Sequence, residues 1–172
     1  MSLKLQMARL RANHSAALSG AEIAAVSHAA TILGRRLIEV DDAAGIRTFV
    51  LGWSDGNEPA VGPEGITARQ LSAIPVLTFA CCLRLCWPDP ATNPYPGERT
   101  RVADVIRLAT AIGADDRHVK GALRSELRAA GLIQLHVPEL SLGPAVAAWA
   151  PAQVEALRRF HTTLPALEAA NG

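Results

Sequence analysis

The chain is poor in lysine, poor in aromatic residues and without any long apolar run. Of 17 basic residues only Lys4 and Lys120 are lysines, and the formal charge is +1 with a pI near 7.8. No global basic field is therefore present to drive strong nonspecific attraction to nucleic acid. The aromatics, three Trp, one Tyr and three Phe, form no cluster on which bases would stack. This argues against a single-strand or RNA-binding platform. The most apolar run, Ile74 to Trp87, contains Arg84 and is too short to span a bilayer. The opening residues lack the charged start, apolar stretch and cleavage site of a signal peptide. The expectation is a cytoplasmic protein with no membrane contact.

Catalytic and metal-binding patterns are also missing. Cys81, Cys82 and Cys86 sit in one apolar helical run with no C-x-x-C pair, so they read as small buried hydrophobes. The histidines His14, His28, His118, His136 and His161 are scattered, with no H-x3-H pair and no zinc-ligand spacing. There is no G-x-G-x-x-G, phosphate loop, nucleophile elbow or H-E-x-x-H. The sequence thus gives no reason to expect an enzyme, a cofactor or a metal.

The pattern that is present divides the chain into 1–60, 66–161 and a flexible tail, 162–172. In the first segment Leu3 to Leu10 reads as a short helix, and Ser19 with Glu22 is an S-x-x-E capping box opening a second. Leu37–Val40 and Ile46–Trp53 then read as a β-hairpin around the turn-rich residues 41–45. In the second segment Thr67 with Gln70 predicts the start of an apolar helix reaching about Trp87, kinked or split by Pro75. A proline-rich loop follows, and Pro151 opens a last helix. The fold class expected is mainly α with small β-hairpins (α+β).

The densest information lies in Val102 to Ile133. Thr100 is the expected cap of a helix whose stripe is Val102, Val105, Ile106, Ala109 and Ile112, stopped by Gly113. Asp115 or Asp116 caps the next helix, which buries Val119, Ala122, Leu123, Leu127 and Ala130 and ends at Gly131, with Leu132 folding back on it. On its other side Arg117, Lys120, Arg124 and Arg128 fall within an arc of roughly 80°, with Gly121 leaving a gap among them. The same arithmetic places Glu126 among the buried positions, where it needs a partner such as Arg107. Ile133–His136 and Leu140–Leu142 read as a hairpin turning at Val137-Pro138-Glu139.

A helix, a turn, a helix ending L-x3-L-x2-A-G-L-I and then a hairpin resembles the winged helix-turn-helix family. The residues carrying the likeness are Val119, Ala122, Leu123, Leu127, Ala130, Gly131, Leu132 and Ile133. The resemblance implies a winged helix-turn-helix in the C-terminal half, with a recognition helix at 116–130 and a wing near Pro138. It implies binding to double-stranded DNA in transcription regulation. Arg117, His118 and Lys120 would then meet base edges or phosphates, while Arg124 and Arg128 would hold the backbone. The wing departs from the pattern, because between Arg128 and Arg158 only His136 is basic and its tip carries Glu139.

Helix followed by hairpin also occurs in the N-terminal half, as in tandem winged helices. That half is alternatively a dimerisation element, with Leu3–Leu10, Val154, Leu157 and Phe160 as contacts in a homodimer or as ordinary core. A second function fits the weak charge: a protein-interaction subunit of a DNA-handling assembly, resembling the accessory subunits of condensin-type complexes. Its anchors would be Val146 and Trp149, on the expectation that both are exposed.

Overall fold

A computed structural model describes residues 2–11, 16–41, 46–57 and 71–166. The first elements are α1 (Leu3–Arg11) and α2 (Gly20–Ile32). At the start of α2 the Glu22 carboxylate accepts from both the backbone N–H and the hydroxyl of Ser19, each at 2.9 Å. The S-x-x-E spacing therefore acts locally as expected. Strands β1 (Arg35–Asp41) and β2 (Arg47–Trp53) follow as an antiparallel pair with Leu37 opposite Leu51 and Glu39 opposite Phe49. Met7, Leu10, Val26, Ala30 and Leu51 close a small apolar cluster beneath them.

The expected capping box Thr67–Gln70 lies outside the described residues. Helix α3 (Ala73–Cys86) begins after Ser72, which places Pro75 in its first turn. The missing N–H of a proline has no helical acceptor there, so the expected kink does not occur and α3 runs unbroken. Its buried side carries Phe79, Cys82, Leu83 and Cys86, with Trp87 at its end, into the larger core.

The proline-rich connection after α3 is strapped down. The Trp87 indole N–H donates to the Thr92 carbonyl at 3.1 Å, and the Glu98 N–H donates to the Cys86 carbonyl at 2.6 Å. It delivers β3 (Thr100–Arg101), a strand the sequence did not announce. Thr100 is consequently part of a strand rather than a helix cap, and the cap of α4 (Val102–Ala111) falls on Arg101.

Next come α5 (Asp116–Arg124), α6 (Glu126–Ala129), β4 (Ile133–His136) and β5 (Glu139–Leu142). The three strands form an antiparallel sheet in the order β3–β5–β4, with Thr100 opposite Leu140 and Leu135 opposite Leu140 on the other side. The start of α4 is tied to the hairpin turn, since the Val102 N–H donates to the Pro138 carbonyl at 3.0 Å. Helix α3 packs across α4 and α5. Val105, Leu108, Val119, Leu123, Leu127, Ile133, Leu140 and Leu142 fill the space between them.

Short α7 (Pro144–Ala147) and α8 (Pro151–Arg159) complete the chain, with Pro151 at the first helical position as expected. Residues 162–164 were assigned to the tail by sequence, yet His161–Thr163 form a 3-10 turn and Leu164 packs against the larger core. The end of that segment, 167–172, lies outside the described residues. Hydrogen bonds from the β1–β2 hairpin and the loop after it reach the C-terminal elements. Trp53 N–H reaches the Ala148 carbonyl at 2.9 Å, Arg36 Nη2 the Trp149 carbonyl at 2.7 Å, and Ala152 N–H the Asp55 carboxylate at 2.8 Å. The class is mixed α+β with two small antiparallel sheets. Among the described residues no helix is long and apolar enough to cross a membrane.

Candidate nucleic-acid interface

The geometry of α5 follows from its two ends. Asp115 caps it, its carboxylate accepting from the His118 N–H at 3.1 Å. That bond, with a smaller contribution from the nearby His118 ring, holds the Asp115 carboxyl below its ordinary pKa. The turn before it is closed by Gly113 at φ 96°, with Ala114 N–H bonding back to the Ala109 carbonyl at 3.0 Å. The α4–α5 corner is thus built from a left-handed glycine and, two residues on, a capping aspartate.

The far end differs from the sequence expectation. A single helix over 116–130 was predicted, whereas the helix breaks at Ser125. Both the N–H and the hydroxyl of Ser125 donate to the Gly121 carbonyl, at 3.0 and 2.7 Å. Ser125 turns to φ −113°, ψ −73°, and α6 follows it with Leu127 and Ala130 still buried. Glu126 is exposed rather than buried, which corrects the expectation that it needs a buried partner. Arg107, suggested as that partner, pairs instead with Asp104 at 3.0 Å. The terminal cap is as expected: Gly131 at φ 68° lets Leu132 N–H return to the Leu127 carbonyl at 3.0 Å.

Val119, Ala122, Leu123 and Leu127 are buried, and Arg117, His118, Lys120, Arg124 and Arg128 are all exposed. These five do not share one environment. His118 Nδ1 lies 3.0 Å from the Asp115 carboxylate, and Lys120 Nζ lies 2.6 Å from Asp116. Among the described residues Arg117, Arg124 and Arg128 have no ion-pair partner or side-chain hydrogen bond. Three guanidinium groups on one outer side are therefore free to bind an anion, while the histidine and lysine must first exchange a carboxylate.

The hairpin tip is less acidic than its sequence suggests. Glu139 faces Arg99 at 3.8 Å and lies opposite Arg101 in the β3–β5 pair. That pairing joins residues far apart in the chain and depends on β3, so no local signal could reveal it. At the tip itself Val137 is 84% exposed.

The anchors of the protein-docking alternative are not where they were expected. Val146 is 1% exposed, and Trp149 is partly buried with its ring edge-on to Phe79 at 6.0 Å and 85°. The apolar 142–149 stretch forms core because α7, unannounced in the sequence, turns it inward. Of the proposed dimer contacts, Met7 and Leu10 are core and Leu157 packs against it, while Leu3, Leu5 and Phe160 are exposed.

An open cleft of about 480 Å³ lies between β1, the loop after α3 and α8, lined by Arg36, Asp55, Asn93, Glu155 and Arg158. Its charged groups are already engaged. Arg36 bonds the carbonyls of Trp53 and Trp149, Asp55 caps α8, and Arg158 holds Glu155 and the carbonyls of Pro90 and Thr92. Burial lowers the Arg36 pKa, opposed by the Asp55 charge. The cleft is a polar seam between the two halves.

Cys81, Cys82 and Cys86 are fully buried and unpaired by disulfide. Burial pushes the Cys81 thiol up to about 11 and, helped by the Glu98 charge, the Cys86 thiol to about 12; Cys82 is raised well above its ordinary value. Neutral thiols are therefore part of the folded state. Their contribution to stability is whole below the ordinary value of 9.0 and declines as pH rises toward 11–12. At pH 8 a thiol-specific reagent should label none of the three until denaturant unfolds the chain. Rapid labelling of the native protein would contradict this burial.

No protein-family profile, curated protein or solved structure matches this chain.

Proposed function

We propose that the chain is a winged helix-turn-helix protein that binds double-stranded DNA and acts in transcription regulation, with α5 as its recognition helix. The observation that carries this reading is the set of three arginines unpaired among the described residues, Arg117, Arg124 and Arg128, on the outer side of α5–α6, away from the buried Val119, Leu123 and Leu127. Free guanidinium groups exchange water and counterions for phosphate without first breaking an ion pair. The packing of α3 across α4 and α5, with the β4–β5 hairpin directly after, supports the family. His118 and Lys120 would join by meeting a base edge in place of Asp115 and Asp116, which adds no phosphate to the three held by the arginines. Leu3, Leu5 and Phe160 are the surfaces on which a homodimer would form.

Fluorescence anisotropy with a labelled random duplex tests this. Three neutralised phosphates give a salt slope near −2.7, so affinity should fall about 40-fold between ~50 mM and ~200 mM salt. The Arg117→Ala, Arg124→Ala double variant should retain only about a 3.5-fold dependence over the same range. Equal slopes for the two proteins would sink the assignment.

The competing reading, a protein-docking subunit with little DNA contact, loses Val146 and Trp149 as anchors. It keeps in its favour the weak net charge and the exposed Val137 at the hairpin tip. Absence of duplex binding at the lower salt would favour it.

A further inference from the structure

Gly121 stands in the interior of α5, where glycine is less favourable than alanine. Nothing among the described residues requires it. A Cβ built there meets no atom within 4 Å, and its backbone is not left-handed. Its one structural task is to accept the N–H and hydroxyl of Ser125, and it does so through a carbonyl that alanine would retain. The residue is exposed, opposite the buried Val119, Ala122 and Leu123. Helical geometry sets it about 6 Å along the axis from Arg117 and about 4.5 Å from Arg124, all three within an arc of roughly 60°. Both of those arginines are unpaired among the described residues.

A bare helix surface between two exposed guanidinium groups suits an anion, and on the DNA-binding reading that anion is a phosphodiester of the duplex. We propose that Gly121 is the point where a DNA phosphate lies closest to α5, bracketed by Arg117 and Arg124. The missing Cβ lets a phosphate oxygen approach the helix backbone at Cα–H···O distance, about 3.3–3.6 Å. Any side chain at 121 would hold the oxygen away and lengthen both arginine contacts. The inference rests on the DNA-binding reading and adds a positioning residue that carries no charge.

The test uses the full chain and its Gly121→Ala variant, with thermal unfolding and anisotropy on the same random duplex. Expected is a variant that melts higher than the parent, binds about tenfold more weakly near 50 mM salt and shows a slope smaller by about 1. A lower melting temperature would overturn the proposal by showing that the glycine serves the fold. Unchanged duplex affinity would overturn it as well, while leaving the DNA reading intact if Arg117→Ala, Arg124→Ala still loses binding. Failure of the parent protein to bind the duplex, or of that double variant to weaken it, would remove both.

Discussion

Trp87→Ala should destabilise the fold by about 3–5 kcal/mol, enough to lower the melting temperature by on the order of 10 °C. Trp87 is 1% exposed at the end of α3, so truncation removes a large apolar volume from the main core. The indole also does work that no aliphatic side chain can replace. Its N–H holds the Thr92 carbonyl, and its ring meets His161 at 5.1 Å and 84°. His161 is itself pinned from two directions, with Nε2 2.6 Å from the Trp87 carbonyl and Nδ1 3.5 Å from Arg84. A carbonyl can only accept, so Nε2 carries the proton and Nδ1 is left to accept from Arg84. One tryptophan thus fastens both the proline-rich connection to β3 and the turn that follows α8. Trp87→Phe, which keeps a ring and loses the N–H, should cost only about 1 kcal/mol. Chemical denaturation separates the two, and a loss below about 1 kcal/mol for the alanine variant would show that the connection is held elsewhere.

What the sequence revealed and what it hid follow the range of the interactions. The Ser19–Glu22 capping box, the Asp115 cap, the glycine stops at 113 and 131 and the apolar stripe of α5 act over two to five residues, and all were legible. The β1–β2 hairpin was legible from β-prone runs on either side of a turn-rich segment. Strand β3 was not, because two residues carry no periodicity and are a strand only through their pairing with Glu139 and Leu140. The break at Ser125 was also hidden. A serine bonding back four residues is usually compatible with a continuing helix, and Glu126 after it is exposed although Leu127 and Ala130 remain buried. Val146 and Trp149 looked like a free apolar patch because nothing local announces α7 or the Phe79 ring that receives Trp149. For the candidate site the positions of the cations could be read from helical arithmetic. Their availability could not, since it depends on which carboxylates reach them: Asp116 takes Lys120 and leaves Arg117, Arg124 and Arg128 open.

Gly143→Ala should be nearly as damaging as the loss of Trp87, for a reason unrelated to apolar burial. Gly143 has φ −94° and ψ 168°, a conformation open to any residue, so its backbone does not demand glycine. The demand is steric: an added Cβ would sit 2.1 Å from the Gly131 carbonyl oxygen, 2.7 Å from its carbon and 2.8 Å from Ile133 N. These are backbone atoms and cannot swing aside as a flexible side chain would. They are also held in place, because Gly143 N–H donates to the Leu132 carbonyl at 2.8 Å and Ala145 N–H to the Gly131 carbonyl at 3.0 Å. Relief therefore has to separate the root of the hairpin from the end of α6, at a cost of about 3 kcal/mol. Gly20→Ala, where a Cβ meets nothing within 4 Å, should stay within about 0.5 kcal/mol of the parent and serves as the control. Gly131 ends α6 and Ile133 opens β4, so the same displacement shifts the hairpin relative to α5 and its arginines. If α5 binds duplex DNA as proposed, Gly143→Ala should accordingly weaken that binding without removing a single charge, leaving the salt slope close to the parent's. Parent-like stability for this variant would mean that the contact between the α6 cap and the end of β5 is looser than its hydrogen bonds imply.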